Sequence, residues 1–201
     1  MNLRLRLAVS IAALVLPACA ADSDTDSDDD ETVGVTAEEL GRAGVCDARN
    51  IDQPDCSFLA FGIGWNAPPG VRVDAINRGI RWVQLGIPYS KFRSFEGYRQ
   101  DCSGSVSMEW EIPSNPSTAG FAPYSNAHSW QLPSHDWLEP GDALNRVRPN
   151  RGHIFLFGSW EDESHQAMYV LEEAAPGHLM QIRRIVRSTF VNYAPIRRND
   201  W

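Results

Sequence analysis

Residues Tyr98 to Ser107 read Tyr-Arg-Gln-Asp-Cys-Ser-Gly-Ser-Val-Ser, and this stretch constrains the chain more than any other. Asp101-Cys102-Ser103-Gly104 has the form of a loop turning into a helix whose first turns run from Ser105 to Trp110. Cys102 then stands at a helix N-terminus, where unpaired N–H groups and the macrodipole favour negative charge. A thiol so placed ionises more readily than a free cysteine, and the thiolate is the nucleophilic form. A structural cysteine normally sits in an apolar run rather than between Asp101 and Ser103. Local context leaves both roles open, so a nucleophile needs a base elsewhere in the chain.

The first nineteen residues have the form of a targeting segment. Arg4 and Arg6 precede an apolar run, Leu7 to Leu16, that is too short to span a bilayer. Leu16-Pro17-Ala18-Cys19 resembles a bacterial lipoprotein signal, with Cys19 as the lipidation site. Cleavage after Ala20, within Ala18-Cys19-Ala20, is the alternative, and either route takes the chain out of the cytoplasm. Export means an oxidising compartment. Cys46 and Cys56, ten residues apart among Asp47, Asn50, Pro54 and Asp55, suit a disulfide. Cys102 is then the odd thiol, unless it pairs with one of those two.

The formal net charge of -8 is unevenly spread, because seven of the carboxylates fall within Asp22 to Glu31. Residues 20–45 are expected to form a disordered acidic spacer, and the rest of the chain is near neutral. No basic stripe exists to suit nucleic acid. Residues 46–70 form an irregular lead-in broken by Pro54, Pro68, Pro69 and Gly70, with Phe58, Phe61 and Trp65 packing it down. The domain proper spans residues 71–201. Val73, Ile76, Ile80 and Val83 fall at helical spacing, and Gly86 ends that helix. A loop from Pro88 leads to Cys102. Residues 112–150 read as loop, with a turn at Leu138-Glu139-Pro140-Gly141-Asp142 before a short strand. Strands follow at His153–Trp160, Met168–Ala174 and His178–Arg187, with another over Phe190–Ile196. Short connections make the sheet antiparallel. Helices first and strands after imply an α+β domain.

His153 opens the apolar strand Ile154-Phe155-Leu156-Phe157 and can present its ring at the strand's lip. It is the candidate general base for Cys102, whereas His128, His135, His165 and His178 have no comparable partner and read as surface residues. A third group commonly orients such a base. Glu172 and Glu173 end the neighbouring strand, and alternation sends one to each face. Trp110, Trp130, Trp137 and Trp160 read as core or cleft wall. No metal set is evident: Cys46 and Cys56 lack histidines at zinc-site spacing, and His-x-x-x-His is absent. No cofactor is implied.

Tyr98-Arg99-Gln100-Asp101-Cys102-Ser103-Gly104, the Pro-Gly-Asp turn, Gly152-His153-Ile154-Phe155-Leu156-Phe157 and the closing Tyr193-Ala194-Pro195-Ile196-Arg197 together resemble the NlpC-type, papain-like cell-wall cysteine peptidases. The resemblance covers residues 71–198. It implies a nucleophile at a helix start packed on an antiparallel sheet, with Cys102 as nucleophile and His153 as base. Glu172 is then the orienting residue, with Glu173 the fallback. Tyr89, Tyr98, Asp101 and Ser103 are the candidate substrate contacts, with core packing the alternative role for the two tyrosines. Ser105 stands where many members carry a bulky apolar residue, a change of packing more than of chemistry. The implied activity is hydrolysis of amide bonds in peptidoglycan stem peptides by an exported monomer tethered to the membrane through Cys19. The alternatives are an amidase or acyltransferase of the same fold, or an inactive wall-binding module.

Overall fold

The computed structural model describes residues 45–53, 56, 70–149 and 152–201. The targeting segment, Cys19, the spacer up to residue 44 and the aromatic residues Phe58, Phe61 and Trp65 lie outside the described residues.

Strand β1, Val45–Cys46, pairs antiparallel with a distant partner near the C-terminus, so regular structure begins one residue inside the expected spacer. Cys46 and Cys56 are disulfide-bonded. The 3.6-residue period then produces helix α1, Val71–Leu85, which buries Ala75, Ile76, Gly79, Trp82 and Val83 along one stripe. Gly86 stops it in the left-handed region at φ 63°, its N–H returning to the last turn.

The segment before Cys102 is a hairpin, not the expected loop. Strand β2, Ser90–Phe95, pairs antiparallel with β3, Tyr98–Gln100, and the register is irregular after Ser90. Glu96 and Gly97 turn the chain with φ of 54° and 87°, values suited to a tight hairpin. The signal was weak because β2 is mostly solvent-exposed and carries no clean apolar alternation.

Helix α2, Cys102–Glu109, has all eight residues buried. It therefore shows no amphipathic stripe and is held by its surroundings on every side. It meets α1 where Gly79 lacks a side chain. A Cβ there would stand 2.5 Å from Glu109 Oε1 and 2.7 Å from Leu171 Cδ2.

The remaining strands are β4 (Ser129–Gln131), β5 (Ala143–Arg146), β6 (His153–Trp160), β7 (Ala167–Glu172), β8 (Gln181–Val186) and β9 (Ala194–Arg198). With β1 they form one antiparallel sheet in the order β1-β8-β7-β6-β5-β9-β4. The architecture is thus α+β. Two details depart from the sequence expectation: β4 lies in a region expected to be loop, and helix α3, Arg187–Phe190, takes the start of the expected last strand.

Both faces of the sheet are covered. Ile154, Leu156, Leu171 and Ile182 pack with α1 and α2 on one side. Leu144, Phe155, Phe157, Val170 and Phe190 fill a second core on the other. Burial on both faces explains why Ile154-Phe155-Leu156-Phe157 lacks polar alternation. Each such side chain contributes about 1.5–3 kcal/mol of burial. The Pro-Gly-Asp turn is a clasp. Asp142, fully buried, lies 3.0 Å from Arg72 on α1 and 2.8 Å from Arg197 on β9. Of the tryptophans expected as core or cleft wall, Trp110 is fully buried, but Trp130 and Trp137 are exposed.

Candidate active site

Asp101 caps α2, its carboxylate accepting from the Gly104 N–H at 2.7 Å. Ser103 Oγ donates to the same carboxylate at 3.1 Å. Arg99 bonds both residues, Nε to Asp101 at 2.9 Å and a terminal nitrogen to Ser103 Oγ at 2.9 Å. Asp101 and Ser103 are both buried and spend their side chains on the cap. The cap also requires Gly104, because a Cβ there would stand 2.0 Å from the Arg99 carbonyl oxygen. Ser105 and Ser107, unusual in a buried helix, return their hydroxyls to the carbonyls of Cys102 and Ser103 at 2.9 and 2.6 Å. The helix start is therefore rigid, and Cys102 is delivered on it with 8 % of its surface accessible.

Cys102 is a free thiol close enough to the ring of His153 to favour its protonated form. His153 stands at the first position of β6 with 15 % of its side chain exposed. Its Nε2 lies 2.8 Å from Glu172 Oε2, which leaves Nδ1 as the ring nitrogen for Cys102. Burial alone would lower the histidine's pKa. The hydrogen bonds and charges of Cys102 and Glu172 outweigh it and raise the value to about 9.

Glu172 is itself fixed. It is fully buried at the end of β7, opposite Gln181 in register on β8. Gln181 Nε2 donates to Oε1 at 3.1 Å. Arg183 Nε approaches the same oxygen at 2.6 Å, off the line of its N–H, so that contact is charge attraction rather than a hydrogen bond. Burial would raise this carboxyl. Arg183, the His153 hydrogen bond and Gln181 together hold it down at about 2. With Oε1 held by β8, Oε2 is presented to the imidazole.

Glu173 points to the opposite face, as alternation requires, but that face is the helix-covered one. Glu173 is fully buried, neither carboxyl oxygen has a hydrogen-bond partner, and Glu109 of α2 is in the same condition. Burial, with Asp101, Cys102 and Glu172 nearby, raises Glu173 to about 9. Glu109 is also raised well above its ordinary value, first by burial. Glu173 therefore keeps its proton at pH 7.

Tyr98 is half-buried and packs against the helix-side core. Tyr89, also half-buried, bonds through its backbone N–H to the His178 carbonyl. Among the other histidines, His165 stacks on Trp160 and His135 bonds the Tyr193 carbonyl, and neither joins the Cys102 site. No cluster of metal-ligating side chains occurs among the described residues. Sequence reading missed Arg99, Gln181 and Arg183. The signal for the last two was two polar residues at alternate positions of one strand, which places them on the same face.

A thiol at a helix start, an imidazole beside it and a buried carboxylate behind the imidazole can together perform nucleophilic acyl transfer. Comparison with protein-family models, with curated proteins and with solved structures found no match.

Proposed function

We propose that this protein is an exported cysteine hydrolase of the NlpC type, with a papain-like arrangement, that cleaves amide bonds in peptidoglycan stem peptides. The observation that carries this reading is the continuous chain of contacts from Cys102 through His153 to Glu172 at the start of a buried helix. Cys102 attacks the scissile carbonyl as thiolate. The tetrahedral oxyanion is met by the Cys102 backbone N–H, one of the donors a helix start leaves without an intrahelical acceptor. His153, protonated, gives its proton to the leaving amine as the C–N bond breaks and the thioester remains. The neutral imidazole then takes a proton from water, and hydroxide attack releases the acid and restores the thiol pair. Glu172 keeps the ring oriented and favours its protonated form. It transfers no proton.

Mass spectrometry of purified wall fragments, before and after incubation, tests this reading. New amine and carboxyl termini within the stem peptides are expected. New termini at the sugar–peptide junction instead point to an amidase, and an unchanged fragment pattern with retained binding points to a wall-binding module.

The proposal includes a lipid anchor at Cys19, motivated by the Leu16-Pro17-Ala18-Cys19 sequence. Cys19→Ala is expected to release the protein from the membrane fraction or to stop its maturation. Unchanged membrane association of that variant contradicts the anchor.

A further inference from the structure

Arg146 ends β5 directly opposite His153, its antiparallel partner in register. Direct partners project to the same face of a sheet, so the guanidinium and the imidazole are neighbours there. The guanidinium carbon lies 4.4 Å from the centre of the Tyr193 ring, and that ring meets His153 edge-on with centroids 6.3 Å apart. Arg146 is half-buried, and its Nε is buried with no hydrogen-bond partner. Arg72, Arg99, Arg183 and Arg197 each sit against a carboxylate, whereas Arg146 has no carboxylate partner among the described residues.

An unpaired cation at this place costs stability twice. Its desolvation is offset only in part by the aromatic face beneath it. It also opposes the protonated form of His153 that the neighbouring groups favour. The carboxylates of the site do not neutralise it: Glu172 faces Arg183 and His153, and Asp101 faces Arg99. A ligand that brings a negative charge removes both costs. A guanidinium set over a ring without a carboxylate partner is a ready fork for a carboxylate.

We propose that Arg146, backed by Tyr193, is the receptor for a free carboxylate of the substrate, so that the preferred peptides carry an unblocked carboxyl group close to the scissile amide. Its place beside the reacting bond rests on the hydrolase reading. Its capacity to bind a carboxylate does not. Peptides amidated at that carboxyl lose the pairing and are poorer ligands, which makes Arg146 a specificity determinant rather than a catalytic residue.

The test uses two synthetic stem peptides that differ at one group, isoglutamate in one and isoglutamine in the other. Binding is measured to the Cys102→Ala protein by calorimetry, and hydrolysis is measured with the wild-type chain. The free-carboxylate peptide is expected to bind about 10–100-fold more tightly and to be cut with a correspondingly lower KM, the range of a charge-assisted hydrogen bond. Arg146→Met, which keeps the apolar stem over Tyr193, should erase the difference by weakening only the free-carboxylate peptide. Arg146→Lys should retain part of it. Equal binding and equal cleavage of both peptides overturn the carboxylate site and leave the hydrolase reading intact. Discrimination in binding without cleavage of either peptide supports the site and overturns the hydrolase reading. Equal losses for both peptides in Arg146→Met reduce Arg146 to a structural residue and overturn the proposal.

Discussion

Replacing Cys102 by alanine is expected to reduce hydrolysis by about 10⁴-fold or more, the scale of losing the nucleophile from such a unit. The fold should survive, because the cap on α2 is made by Asp101, Ser103 and Arg99 and not by the thiol. His153→Ala should be nearly as severe. The double variant should be no worse than either, since members of one catalytic unit fail together. Alkylation of Cys102 by iodoacetamide at neutral pH should slow in His153→Ala, which removes the imidazole beside the thiol. Glu172→Gln should be milder, about 10–100-fold, because the residue orients and charges the ring without transferring a proton. An amide is nevertheless a poor replacement. It has a single acceptor oxygen, and Gln181 and Arg183 compete for it with His153. The imidazolium raised to about 9 should then lose its proton at lower pH. The alkaline limb of the kcat profile, which reports loss of the acid form, should move down in Glu172→Gln and stay in place in wild type. Full activity in Cys102→Ala would falsify the cysteine-hydrolase reading outright.

What the sequence made legible, and what it hid, follows from where burial does the specifying. Helix α1 was readable because it has one wet face, so its apolar residues recur at 3.6. Strand β6 was readable because it is buried on both faces and runs apolar. Helix α2 shows neither pattern. Its hydrophobic positions are mixed with serines that satisfy themselves on the preceding turn, so only the Asp-Cys-Ser-Gly start betrays it. The hairpin before Cys102 escaped for the opposite reason, because β2 is too exposed to carry alternation. At the site, the juxtaposition of His153 and Glu172 could be inferred from strand alternation. The status of Asp101 and Ser103 could not, since only the position of Arg99 beside them turns two polar flanks into a cap. The same limit applies to Gln181 and Arg183, whose importance depends on register with β7. Local sequence shows which face a side chain takes. It does not show what covers that face, as the burial of Glu173 illustrates.

Glu173→Gln is expected to stabilise the protein at neutral pH while leaving catalysis nearly unchanged. The folded pKa of Glu173 is raised from 4.5 to about 9. A raised pKa means that the folded state keeps a proton which the unfolded chain releases. The stability linked to that proton is fully present below about 4.5 and is lost as pH rises towards 9. Each pH unit in that window costs about 1.4 kcal/mol, so a gain of about 1–3 kcal/mol on substitution is the right order at pH 7. Glutamine keeps the volume, needs no proton, and forfeits no hydrogen bond, because neither carboxyl oxygen of Glu173 has a partner. In a chain of this size the gain should appear as a rise in Tm of about 2–10 °C at pH 7. The difference should shrink towards zero near pH 4 and grow towards pH 9, and urea titrations at the three values read this directly. Glu109→Gln should behave alike, since burial raises that carboxyl too and its oxygens are equally unpartnered. Turnover at pH 7 should stay within about threefold of wild type in Glu173→Gln, as a neutral side chain is exchanged for a neutral one. A variant less stable than wild type at pH 7 contradicts the protonated state assigned here. A large loss of turnover with stability intact instead makes Glu173, rather than Glu172, the residue on which His153 depends.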